Sequence, residues 1–220
     1  MNAIKKSTLD FLKNLKVNNN REWFNANRKL YDDAKEDYES YIQAIIDEII
    51  TFDPILKGLE VKSCTYRLNR DIRFSPDKTI YKTHLGAFIV KGGKKNGDKF
   101  AGYYVHVEPG GSMIAGGAYL PPSQWLSAIR EKINDDGDKL VSIIKDKEFV
   151  AIFKEMEGET LKTAPKGYPK DHRFIELLRM KSFLVSRMIS DKDICSQSGF
   201  DTIIRGCMAM KPLNDYMNDY

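Results

Sequence analysis

Apolar residues change their period twice along this chain, from helical spacing to alternation and back to helical. Leu9, Leu12 and Leu15 recur behind Ser7 and Thr8, either of which can cap a short first helix. Asn18-Asn19-Asn20 breaks it. Asn19 and Glu22 stand at capping-box spacing and open a longer helix to about Ile50. Its stripe of Trp23, Tyr31, Ala34, Tyr38, Tyr41, Ile42, Ile45 and Ile49 reads as core, and Phe52-Asp53-Pro54 ends it.

From residue 59 the period falls to two. Taken as extended, residues 59–74 put Cys64, Tyr66 and Leu68 on one face and Thr65, Arg67, Asn69, Asp71 and Arg73 on the other. Arg70 then falls on the apolar side, where it needs a carboxylate partner or a bulge. Further strands are predicted over 84–90, 100–107 and 112–119, joined by glycine-rich turns at 91–97 and 109–111. Gly116-Gly117 inside the last of these suggests a bulge or a close backbone approach.

Helical spacing returns with Trp125, Ile129 and Ile133, which end at Asn134-Asp-Asp-Gly137, and with a second helix over Leu140, Ile143 and Ile144. A third covers 149–156, Asp171 caps one bearing Phe174, Leu177 and Leu178, and the last runs from about Gly199 to Tyr216. Phe183–Met188 reads as another strand. The order predicts a single α+β domain over 1–220. It has a helical segment at 1–57, a sheet over 58–120 and helices over 121–220, with about four to six antiparallel strands packed on helices.

Composition changes this picture little. A length of 220 residues suits one domain, and a mean hydropathy of -0.45 suits a protein with no membrane partner. Three cysteines, Cys64, Cys195 and Cys207, show no paired spacing and read as reduced thiols. With an amphipathic rather than hydrophobic start to the chain, they point to a cytoplasmic protein. Charge is more informative. Residues 31–60 carry nine acids against two bases, 62–99 ten bases against three acids, and 161–192 eight bases against three acids. Two basic segments separated in sequence can converge on one anion.

The densest chemistry lies in 67–84, with three arginines, two lysines, two aspartates, a tyrosine and a histidine. The pattern Arg67-x-x-Arg70-Asp71-x-Arg73-Phe74, followed by Asp77-Lys78-x-x-Tyr81, resembles the signature of DUF2461, a bacterial family of unknown function. The resemblance extends to Arg21-Glu22-Trp23-Phe24, Gly102-Tyr103-Tyr104-Val105-His106, Glu108-Pro109-Gly110-Gly111, and Pro165-Lys166-Gly167-Tyr168 with Asp171-His172. It implies a fold unit and a location for a site, and it supplies no activity.

Three functions fit the residues. The first is binding or processing of a phosphorylated or other anionic ligand, a small molecule or nucleic acid. Guanidinium forks and ammonium groups suit such a ligand, and the candidates are Arg67, Arg70, Asp71, Arg73, Lys78, Tyr81, Lys82 and Lys166. Lys166 enters because its loop precedes a helix start, which favours anions. The second is a metal- or acid/base-dependent enzyme using His84, His106 and Glu108, with Tyr104 on the same strand face. The third is a partner-binding domain whose charges form a structural lattice, with Asp32 or Glu36 supplying counter-charge. Nucleotide-binding glycine loops, zinc-protease helices and hydrolase elbows are absent from the sequence, so no cofactor is assigned.

Overall fold

Leu9, Leu12 and Leu15 form the buried stripe of α1 (Lys6–Val17), whose N-cap is Lys5 rather than Ser7 or Thr8. Thr8 is committed elsewhere: its hydroxyl donates to buried Asp37 at 2.6 Å. In the computed structural model, which describes residues 2–73 and 76–219, the expected long helix is divided into α2 (Arg21–Ala26) and α3 (Arg28–Phe52). Asn27 departs from helical geometry between them while its side chain donates back to Trp23 O, the local competition that asparagine offers a helix. Asn20 caps α2, not Asn19.

The isoleucines of α3 meet the sheet. β1 (Leu85–Ile89), β2 (Gly102–Val107), β3 (Met113–Ala118) and β4 (Phe183–Met188) form one antiparallel sheet in sequential order. Strand alternation sends Ala87, Val105, Ile114 and Val185 into the core, all fully buried. α3 and α9 (Gln197–Asn218) lie against that face. Gly116 is required there, because a Cβ would stand 2.3 Å from Gly102 O of β2 and 2.2 Å from Met210 Sδ of α9. The close approach expected at Gly116-Gly117 is to neighbouring strand backbone as well as to a helix, with Gly117 against Phe183 O of β4. Among the described residues no helix packs across the other face. Tyr104, Phe88, Met113 and Ser186 remain partly exposed, and Met188 is 60% exposed.

Three further expectations are corrected. Residues 59–74 do not form a strand: α4 (Val61–Cys64) takes the first part, and the chain then enters an irregular arm. Thr65 bridges Ala87, and Asn69 bridges Tyr81, so the arm folds back on itself beside β1. Asp71 accepts from Arg73 N and Asp77 from Thr79 N, turn-forming bonds that divert the backbone from ladder pairing. Phe74 lies outside the described residues. Second, the Asn134–Gly137 end is a kink at Asp136 within one helix, α5 (Ser123–Ile144). Third, Asp171 caps nothing: after α6 (Lys147–Phe153), the short α7 (Ile175–Leu178) begins behind Phe174. α8 (Asp191–Ile194) precedes α9. No helix among the described residues is long and apolar enough to cross a membrane.

Candidate functional site on the open sheet face

Tyr104 and His106 of β2, and Glu108 just beyond its end, lie on the open face, where Tyr104 and Glu108 are partly exposed and His106 is buried between its neighbours. Tyr104 Oη lies 3.0 Å from His106 Nδ1, and His106 Nε2 lies 3.1 Å from Glu108 Oε2. The ionised carboxylate can only accept, so Nε2 carries a proton; in the neutral ring Nδ1 then accepts from the phenol. Thr83 Oγ1 donates to the second carboxylate oxygen at 2.9 Å. Gly86, opposite His106 on β1, leaves room for the phenol: a Cβ there would meet Tyr104 Oη at 2.8 Å. His84 stacks on His106 with ring centroids 4.3 Å apart.

The electrostatics follow from this packing. Burial, and then the neighbouring His106, push the His84 imidazole down to about 4. Burial pushes Tyr104 up to about 12, with the nearby Tyr66 and Glu108 adding to it. Burial also raises Glu108, but the hydrogen bonds from His106 and Thr83 outweigh it and leave the carboxyl below its ordinary value. At neutral pH the row therefore holds an ionised carboxylate, a neutral His84 and a protonated phenol.

A cleft of about 580 Å³ adjoins His84, lined by Lys16, Asn19, Arg70, Asp77, Thr79 and Lys82 among others. Asn19 shapes it. Its Oδ1 accepts from Ile80 N and Tyr81 N, and its Nδ2 donates to Tyr81 O, pinning the arm to the end of α1. Lys82 is half-buried, with its Nζ 5.2 Å from the Tyr66 ring centroid. Desolvation first, and Arg67 second, hold the Lys82 ammonium below its usual range.

The arginines behave differently from the sequence expectation. Arg67, Arg70 and Arg73 lie on the arm and not within the sheet. Arg70 bonds Asp77 and Thr79 and is directed away from the core. Arg73 makes a two-point contact with Asp71 at 2.9 and 2.6 Å. The counter-charge comes from the arm itself and not from α3, where Asp32 pairs with Arg28. Asp77 is lowered to about 2, first by the Thr79 backbone and then by Arg70. Lys78 reaches Ile72 O, and Tyr81 is buried, its ring stacked on Phe24 at 4.2 Å. Of Tyr66, Tyr81 and Tyr103, the tyrosines available for base stacking, only Tyr66 is exposed.

Lys166 stands apart. Residues 157–161 pair with the 179–184 segment, through Glu157 with Leu184 and Leu161 N with Arg179 O. That is the β4 edge of the sheet, whereas the arm flanks β1 at the other edge. Lys166 therefore does not line the cleft. Sequence reasoning missed Lys16, Asn19 and Thr83. Lys16 lies at a helix end with no distinguishing pattern, the capping-box spacing of Asn19 pointed to a cap rather than to the arm, and Thr83 borders His84 and could have been found from that position.

The fold and site define a helix-backed α+β domain with its polar chemistry on the uncovered face of one sheet. The chain belongs to the DUF2461 family: the family model, described as a conserved hypothetical protein, matches residues 7–216. No curated protein and no solved structure matches it.

Proposed function

We propose that the domain binds a phosphorylated or otherwise anionic small molecule in the cleft between α1 and the 65–84 arm, with the anionic end toward Lys82 and His84. The observation that carries this reading is Lys82. Its ammonium is partly withdrawn from water, and among the described residues no carboxylate lies within ion-pair distance of it. A desolvated cation without a counter-charge is costly unless something external supplies one. Lys16 lines the same cleft. Arg70 and Arg73 already hold carboxylates, so they shape the arm and contribute less to the ligand. A small molecule is favoured over nucleic acid, because the exposed tyrosines among the described residues, Tyr66 on the arm and Tyr119 beyond β3, are no stacking platform for successive bases.

A second observation supports processing as well as binding. The Thr83–Glu108–His106–Tyr104 row orients an imidazole directly behind His84, which lines the cleft, an arrangement that suits an acid/base or metal-assisted step. The test of binding is a titration of inorganic phosphate and simple phosphomonoesters into chelator-treated protein, followed by amide chemical shifts. Saturable shifts should centre on Lys16, Asn19 and Lys82. Lys82→Ala should weaken binding by about 1.5–3 kcal/mol, the range for hydrogen bonds to charged groups. Equal affinity in wild type and variant would sink the reading.

A further inference from the structure

We propose that His84, His106 and Glu108 hold one divalent transition-metal ion of the zinc type on the open face of the sheet. This rests on the preceding reading of the same site and names its cofactor. One donor atom from each of the three residues lies within 4.8 Å of the others. Zinc binds imidazole nitrogen and carboxylate oxygen at about 2.0–2.2 Å, so two donors of a tetrahedral site stand about 3.3–3.5 Å apart. His106 Nε2 and Glu108 Oε2 are separated by 3.1 Å, already close to that spacing. Only His84 has to close in. Its partly exposed ring is stacked on His106 and makes no side-chain hydrogen bond among the described residues.

The groups that would orient the ligands are also in place. Thr83 binds Glu108 Oε1, which leaves Oε2 to face the ion. Tyr104 Oη meets His106 Nδ1; with the metal on Nε2, that nitrogen carries the proton and donates to the phenol oxygen. Outer oxygens of this kind fix the tautomer and ring angle of a metal-binding imidazole. Two imidazoles and one carboxylate favour zinc and its first-row neighbours over magnesium or calcium, which take oxygen ligands. Three protein donors on an open face leave a position for water or for the anion, as catalytic sites do and closed structural sites do not. Positive charge nearby opposes a cation: Arg70 and Arg73 are each engaged by an aspartate of the arm, which leaves Lys82 as the opposing charge on His84, offset there by Glu108. The ion supplies Lewis acidity, and Lys82 and Lys16 stand where the rest of an anionic ligand would lie.

The test is zinc titrated into chelator-treated full-length protein without any anion, in competition with a chromophoric chelator. One equivalent should bind, and cobalt(II) should show the visible bands of a four- or five-coordinate site. His106→Ala should lower zinc affinity more than about 100-fold, and Thr83→Val, which keeps all three donors, about 10-fold. His172→Ala removes the remaining histidine of the chain and should change nothing. Circular dichroism establishes folding; if His106→Ala does not fold, His84→Ala and Thr83→Val carry the test. Zinc binding well below one equivalent, or equal affinity in wild type and His84→Ala, overturns the proposal. Phosphate binding to chelated protein is a separate readout. Its survival without zinc binding refutes the metal site alone, and its absence beside intact zinc binding refutes the anion cleft alone.

Discussion

Tyr103 and Tyr104 are neighbours on β2, and they belong to different chemistries. Tyr103 points to the helices, is 1% exposed, and donates at 2.8 Å to Asp53, itself buried at the end of α3. Burial, and after it the Asp53 carboxylate, raise its pKa far beyond reach, so it is a permanent donor. Tyr104 points to the open face and touches an imidazole that has a carboxylate behind it. One strand therefore divides its residues by parity: odd numbers hold the fold together, and even numbers form the site. The uncovered face lets a polar row persist where a second helical layer would have demanded apolar residues.

Substitutions can break or sharpen this division. The largest effect is expected on the helix side, at the other edge of the sheet. Phe183 is fully buried, and Phe183→Ala should cost about 3–5 kcal/mol in a denaturant titration. Met188 ends the same strand on the open face, and Met188→Ala should stay within about 0.5 kcal/mol. A comparable loss at both would refute the assignment of faces.

The tyrosine pair gives the next largest contrast. Tyr103→Phe strands a buried carboxylate oxygen and should cost about 1–3 kcal/mol. Tyr104→Phe should cost less, about 1 kcal/mol, because it leaves an imidazole nitrogen rather than a carboxylate oxygen without its partner. On the proposal above, Tyr104→Phe should nevertheless weaken zinc binding about 10-fold while Tyr103→Phe leaves it unchanged. Stability and metal affinity would then separate along adjacent residues.

Smaller effects test the arm. The Asp77 carboxyl is held near 2, below its ordinary value of 3.8. A carboxyl lowered by folding contributes stability that is present above about pH 4 and is lost as the pH falls toward 2. Carbon-detected titration should place the Asp77 midpoint near 2 in wild type. In Arg70→Ala it should move up only part of the way, because the Thr79 backbone bond, the larger cause, remains. No movement would mean that the Arg70–Asp77 contact does not persist in solution. Arg73→Ala is expected to leave the melting temperature unchanged, since its partner Asp71 is exposed. A clear drop would restore the structural-lattice reading for that residue.

Local pattern was enough to find β1 through β4, α1, most of α3 and α9, because each depends on a period that side chains impose on their own backbone. It also placed His106, Glu108 and Tyr104 on one face, since parity along a strand is a sequence property. The 59–74 stretch has the same alternation and yet is no strand. There, Asp71 and Asp77 offer the backbone side-chain partners that compete with a ladder, and period alone does not register that competition. Other features were set only by tertiary structure. Strand pairing brought Gly86 opposite His106 and so made room for Tyr104. The same closure stacked His84 on a histidine 22 residues away along the chain. Sheet order put the 157–161 segment that leads to Lys166 beside β4 and the arm beside β1, so Lys166 is not among the residues that line the cleft. Distance across a sheet depends on which strands pair, and that choice belongs to the whole core rather than to any one segment.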